Sequence, residues 1–198
     1  MGIATLIAAG RLDERLVAGA LQRLEGTRFA GWIDEGDAAD IESDAEAAQI
    51  RKAFEGWEGV DIIVQPPGPR ERRLLVADMD STMIGQECID ELAGYAGVKD
   101  QVSGITERAM RGELDFAGAL GERVALLEGL GEEVLGQCLA ERIRPNPGAE
   151  ILVRTMRMRG ASTILVSGGF TAFVEPIAKQ IGFERFEANQ LEVSDRKL

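Results

Sequence analysis

Histidine is absent from all 198 residues, so proton transfer near neutral pH falls to carboxylates, lysine or a bound metal. Cysteine is nearly absent too. Cys88 and Cys138 form no Cys-x-x-Cys, which argues against a disulfide framework and reads as a reduced, cytoplasmic chain. Positive charge is scarce: 22 Lys and Arg against 34 Asp and Glu leave a net charge of −12. Nucleic acid and anionic membranes both demand a basic face, so neither is expected as a partner. No apolar run approaches the roughly 20 residues of a membrane span. No basic segment precedes the first apolar residues, so a signal peptide is not expected either.

What is there centres on Leu74-Leu75-Val76-Ala77, an apolar run that follows Arg70-Glu71-Arg72-Arg73 and leads straight into Asp78 and Asp80. The run predicts a buried parallel strand. Its carboxyl end is where open α/β sheets bind ligands. Two carboxylates placed there repel, and a fold keeps them only with a cation, a proton or donors to compensate. The pair reads either as a metal-assisted nucleophile plus acid, or as two solvated loop aspartates. It is not an EF-hand, because Met83 and Ile89 occupy the sixth and twelfth positions counted from Asp78. Farther on, Ser162 to Val166 predicts a second buried strand, followed by Ser167-Gly168-Gly169 and a helix from Thr171 to Ile181. A small hydroxyl and two glycines before a helix start suit an oxyanion. An ordinary tight turn has the same composition, and no Walker A Gly-Lys-Ser/Thr follows.

Residues 1–68 predict a separate small unit. Strand Ile3 to Ala8 leads to a helical face of Leu16, Val17, Ala20, Leu21 and Leu24 that ends at Gly26. Arg28 to Ile33 and Ala38 to Glu42 predict two strands. Ser43-Asp44-Ala45-Glu46 reads as a capping box for a helix reaching Gly56, and Val60 to Val64 predicts the last strand. Strand–helix–strand–strand–helix–strand is a ferredoxin-like order, and the unit resembles an ACT-type regulatory domain. Pro66-Pro67-Gly68-Pro69 is a stiff linker. Between the two buried strands of the second unit, helical periodicity marks about five helices, the last of them Ala149 to Arg159, after Pro145-Asn146-Pro147-Gly148.

The strand–Asp-x-Asp-Ser-Thr and strand–Ser-Gly-Gly layout carries a specific resemblance. Asp78-Met79-Asp80-Ser81-Thr82 is similar to the first motif of the haloacid dehalogenase superfamily, and Val166-Ser167-Gly168-Gly169-Phe170 to its second. Residues 74–193 resemble that superfamily's phosphoserine phosphatases. Glu87, the segment Ala109 to Phe116 and Arg123 match its substrate-recognition positions. The resemblance implies a Rossmannoid α/β fold with a parallel sheet over 69–86 and 145–198. It implies an inserted helical cap over 87–144, while the small α+β ferredoxin-like unit over 1–68 rests on its element order alone. It implies hydrolysis of O-phospho-L-serine, the last step of serine biosynthesis, through an aspartyl-phosphate. Asp78 would be the nucleophile and Asp80 the acid, and Mg²⁺ would bridge the Asp78 carboxylate and the Asp80 carbonyl. Ser167 and Gly168 would hold phosphate oxygens and Arg123 the substrate carboxylate. Glu87 would take its ammonium, while Met110 and Phe116 exclude water. A homodimer and an amino-acid effector on residues 1–68 are compatible with this.

Each recognition residue also has an ordinary reading. Glu87 can complement a helix dipole, Met110 and Phe116 sit at core spacing, and an arginine on a helix is usually solvated. The stretch 87–142 holds twelve acids and five bases, so it attracts no anion in general. The pattern departs from the family's at its end. The phosphate-binding lysine and the Gly-Asp-Gly-x-x-Asn-Asp segment lie downstream of Gly169 in the family. Here Lys179 and Lys197 are the only lysines after Gly169, and neither has the matching context. The tail Glu192 to Leu198 reads as an incomplete hairpin and the chain as truncated. Two alternatives remain: a phosphatase for another small phosphomonoester, or an inactive chain acting only as a binding or regulatory module.

Overall fold

A computed structural model describes residues 2–198, which divide into two compact units, the first ending at Arg70 and the second running from Glu71 to Leu198. In the first, β1 (Gly2–Leu12) leads to α1 (Glu14–Arg23), β2 (Thr27–Asp34), β3 (Gly36–Ser43), α2 (Ala47–Ala53) and β4 (Asp61–Gln65). The sheet order is β2-β3-β1-β4 with every neighbouring pair antiparallel, the split βαβ arrangement that the periodicity predicts. Alternation on β1 sends Ala4, Leu6 and Ala8 into one cluster with Val17, Ala20, Ile41 and Ile50. On the opposite phase lies Thr5, whose hydroxyl donates to Asp40 (2.7 Å). Arg70 closes the unit by donating to Thr5 Oγ1 (2.9 Å), Gln65 Oε1 (3.1 Å) and the Asp40 carboxylate. One local expectation fails. Ser43 does not cap α2; its Oγ accepts from Ala45 N (3.2 Å), and Glu46 is the N-cap, its amide donating to Gln49 Oε1 (3.1 Å). Ser43 is still paired in β3, so the helix can begin only after the chain leaves the sheet.

The second unit runs β5 (Leu74–Ala77), α3 (Cys88–Ala96), α4 (Lys99–Met110), α5 (Phe116–Ala125), α6 (Glu133–Arg142), α7 (Ala149–Met158), β6 (Ser162–Phe170), α8 (Thr171–Ile181) and β7 (Arg185–Asn189). Its sheet is parallel, in the order β5-β6-β7. Alternate residues Leu75, Ala77 and Leu165 join a core built with Leu92, Ala93, Val153, Phe173, Val174 and Ile177. The helices between β5 and β6 are tied together at the surface. The Tyr95 hydroxyl of α3 donates to Glu141 of α6 (2.7 Å). Arg142 donates to Glu91 (2.9 Å) with its guanidinium 4.6 Å from the Tyr95 ring centre. Cys88 and Cys138 are free and buried, and burial pushes the Cys138 thiol up to about 11, so neither is set up as a reactive thiolate.

Two stretches differ from expectation. β6 does not stop at Val166. It continues through Ser167-Gly168-Gly169 to Phe170, because pairing with β7 resumes at Phe170↔Asn189 after a register shift. The tail makes a tight turn at 194–197, with Asp195 and Arg196 in the left-handed region (φ 51° and 61°). It is pinned to the segment after α5 by Gly129 N donating to Leu198 O (2.9 Å) and Leu198 N to Leu130 O (3.0 Å). Among the described residues, no helix is long and apolar enough to cross a membrane.

Candidate active site

The loop leaving β5 is fixed by what it buries. Met79 and Met83 are in the core, so Asp78, Ser81 and Thr82 are turned outward, while Asp80 stays half-buried. The turn closes with Ile84 N donating to Met79 O (3.0 Å). Its tightest point is Ser81, at φ 52°, a left-handed conformation that side-chain-bearing residues rarely adopt. From outside, the stretch before α7 braces this loop: Asn146 N donates to Met83 O (2.9 Å) and Asn146 Nδ2 to Thr82 O (2.8 Å).

Each acid of the loop has a donor close by in the chain. Thr82 Oγ1 donates to Asp78 Oδ2 (3.0 Å), Cys88 N to Asp80 Oδ1 (3.3 Å) and Ser81 Oγ to Glu87 Oε1 (2.6 Å). Burial pushes the Asp80 carboxyl above its ordinary 3.8. The Cys88 hydrogen bonds oppose the shift, while the negative charges of Glu87 and Asp78 add to it.

Facing this loop is the end of β6. Ser167 is buried, and its Oγ accepts from Gly169 N (2.9 Å), while Asn189 Nδ2 on β7 donates to Gly168 O (2.8 Å). At both glycines a side chain would crowd its neighbours. A Cβ at Gly169 would sit 3.1 Å from both Asp80 Oδ2 and Ser167 Oγ, and one at Gly168 would sit 3.0 Å from Cζ of Phe116. The third wall comes from α5. Asp115 caps it, accepting from Gly118 N (2.7 Å), so Phe116, Leu120 and Arg123 follow at i, i+4 and i+7 on one helix face.

These walls enclose a cavity of about 180 Å³ lined by Asp78, Asp80, Glu87, Ile89, Phe116, Leu120, Arg123, Ser167, Gly168, Gly169 and Phe170. Of the residues singled out from the sequence, Asp78, Asp80, Glu87, Phe116, Arg123, Ser167 and Gly168 are brought together there. Met110 is the exception and is corrected: it ends α4, is 85% exposed and does not line the cavity. The buried side of α4 is held by Val102, two turns earlier, so its last residue is left in solvent. Lys179 pairs with Glu175 (2.6 Å) on α8 and Lys197 lies in the terminal turn; neither lines the cavity. Sequence reasoning missed Leu120, although it falls midway between Phe116 and Arg123 on the same face. It also missed Ser81 and Thr82 as donors, which only the turn geometry reveals.

Three carboxylates and one guanidinium therefore share this lining, a deficit of positive charge that a cationic ligand would offset. Among the described residues no group of three or more Cys, Asp or Glu side chains is placed to hold a metal. The Asp78 carboxylate and the Asp80 carbonyl are hard oxygen donors, too few for a closed cage but suited to a cation that keeps several of its own waters.

Haloacid dehalogenase-like hydrolase is the family that residues 75–198 match. A phosphoserine phosphatase of Archaeoglobus fulgidus is 45% identical over 77% of this chain and 46% of its own length. One from Streptococcus thermophilus is 51% identical over 62% of this chain and 56% of its own. The chain thus spans about half the length of these curated relatives. Among solved structures, a phospho-aspartyl intermediate analogue of phosphoserine phosphatase superposes with a TM-score of 0.60 at 40% identity, covering 65% of this chain and 61% of that one.

Proposed function

Because the chain belongs to the haloacid dehalogenase-like hydrolase family, we propose that residues 71–198 carry the site of a phosphoserine phosphatase. The observation that supports this most is a single cavity joining Asp78, Asp80 and Ser167 to the pair Glu87 and Arg123. The first group suits a phosphate ester and the second an amino acid. A carboxylate oxygen of Asp78 attacks phosphorus while the bond from phosphorus to the serine oxygen breaks, and the Asp80 carboxyl gives that oxygen its proton. Asp80 then takes a proton from water as the water attacks the aspartyl-phosphate, releasing phosphate and restoring Asp78. The raised affinity of Asp80 for a proton suits the first half of that cycle, because a carboxyl that stays protonated longer can still donate. Ser167 Oγ and the Gly168 amide hold phosphate oxygens, the Arg123 fork takes the substrate carboxylate and Glu87 its ammonium. Phe116, packed against Gly168, excludes water.

The donor chemistry fits Mg²⁺, which the Asp78 carboxylate and the Asp80 carbonyl would hold. When bound, the ion neutralises charge between nucleophile and phosphate. Every residue lining the cavity belongs to the second unit, and we assign residues 2–70 a regulatory rather than a chemical role.

Two substitutions test the assignment of parts. Arg123→Ala in the intact gene product is expected to raise KM for phosphoserine by about ten- to a hundredfold, the worth of one charge-assisted pair. For phosphoethanolamine, which lacks the carboxylate, the change should be small. Equal losses on both substrates would make Arg123 a structural residue. Gly169→Ala should lower kcat by about tenfold or more with little change in melting temperature. The new Cβ meets both Asp80 and Ser167 at 3.1 Å, and small misplacements of reacting groups are costly. Unchanged kcat would mean that neither group needs its present position.

A further inference from the structure

We infer that Ser81 is a positioning residue for substrate selection: its hydroxyl holds Glu87 in the orientation that meets the substrate ammonium. The inference rests on the phosphoserine reading above. The starts of α1, α5 and α3 use their acids differently. Asp13 and Asp115 stand at the N-caps of α1 and α5, and both spend their carboxylates on the helix, accepting from Leu16 N (2.9 Å) and Gly118 N (2.7 Å). Glu87 stands at the N-cap of α3 and makes no side-chain cap bond. Its Oε1 is taken by Ser81 Oγ at 2.6 Å. Its Oε2 has no hydrogen-bond partner among the described residues, although Glu87 lines the cavity. The carboxylate is thus withheld from the helix and held by one oxygen, with the other available to a ligand.

The backbone supports the same purpose. Ser81 holds the left-handed φ of 52°, and its amide donates to Gln86 O (3.1 Å), the residue before Glu87. Two hydrogen bonds from one residue therefore fix both the chain position and the side-chain orientation of Glu87. Strained backbone of this kind persists where the surroundings impose it, and such positions cluster at functional sites. A serine that served only the turn would be improved by glycine, which adopts this conformation freely. Glycine has no hydroxyl to offer Glu87.

The test compares phosphoserine with 3-phosphoglycerate, which carries a hydroxyl where phosphoserine carries its ammonium, in the intact gene product. Ser81→Ala and Ser81→Gly should each raise KM for phosphoserine about tenfold, with kcat within about twofold and KM for 3-phosphoglycerate little changed. Glycine removes the strain as well as the hydroxyl, so a loss in both variants isolates the hydroxyl. Ser81→Asn should recover part of the preference, since asparagine tolerates this backbone region and retains a donor. Parallel losses on both substrates, or a fall in kcat alone, would make Ser81 a brace of the loop and overturn the inference. So would an unchanged KM in Ser81→Gly. If the unsubstituted protein does not hydrolyse phosphoserine, the phosphatase reading itself falls. If it does and the Ser81 variants keep its preference, only this inference falls.

Discussion

Asp78→Asn in the intact gene product is expected, if the site is that of a phosphoserine phosphatase as proposed, to remove phosphoserine turnover by at least about a thousandfold, the scale of loss when a covalent nucleophile is deleted. The amide has the size of the carboxylate and none of its nucleophilicity, so no aspartyl-phosphate can form at position 78. The fold should not change. Asp78 lies on the exposed side of the loop, whose anchors are the buried Met79 and Met83. Thr82 Oγ1, which donates to Asp78 Oδ2 at 3.0 Å, can donate equally to an amide oxygen. Steady-state kinetics beside thermal unfolding check this. A variant retaining a few per cent of turnover with an intact melting curve would remove Asp78 from the covalent role.

Asp80→Asn is the second large effect, a loss of about 10² to 10⁴ in kcat, the usual worth of a positioned general acid and base. Substrate binding should survive, because the substrate carboxylate and ammonium are assigned to Arg123 and Glu87 and the phosphate oxygens to Ser167 and Gly168, while Asp80 serves the proton transfer. The substitution also has a consequence for stability, measured in metal-free protein. Burial raises the Asp80 pKa in the folded state above its ordinary 3.8, so the folded chain binds this proton more tightly than the unfolded one. The stabilising contribution is complete below the unfolded value and fades as pH climbs through the raised one. An amide at this position does not titrate, and its oxygen can still accept from Cys88 N. The variant should therefore melt above the parent at neutral pH, with the gap closing as pH falls toward the ordinary carboxylate value of 3.8. A variant less stable at neutral pH would show that the charged carboxylate is held by favourable partners rather than buried at a cost.

The parts of this molecule readable from sequence are those where one local rule dominates. Leu74 to Ala77 and Ser162 to Val166 are largely apolar runs too short for helices, and both are strands. The expected burial on both faces does not hold, because Leu74, Val76 and Val166 are exposed and only the alternate residues face the core. Asp115 with Gly118 behind it starts α5, as an acid before an apolar periodic stretch should. Reading failed where tertiary pairing overrode the local rule. Ser43 has the composition of a cap yet stays in β3. The glycines after Val166 look like a turn yet remain extended because Phe170 pairs with Asn189. Met110 shares a sequence segment with Phe116, but Gly112 intervenes in the left-handed region (φ 76°) and the two residues belong to different helices. The donors to the three acids were invisible for a related reason. Ser81, Thr82 and the Cys88 amide reach them only once the turn has formed.

The register of the parallel pair decides which changes in length this unit can absorb. Ala77 lies opposite Leu165, so Asp78 and Ser167 emerge from adjacent strand ends by counting from a fixed alignment. Inserting or deleting one residue between Ser162 and Val166 would exchange the two faces of β6 beyond that point. Val166 would then turn toward the cavity and Ser167 away from it, with every side chain of the candidate site still present in the sequence. The helices between the two strands carry no such count. A residue added at the glycine turns after α4 or α5 lengthens a surface connection and leaves both strand ends where they are. Length variation among functional versions of this chain should accordingly collect in those turns and be missing from residues 74–80 and 162–169.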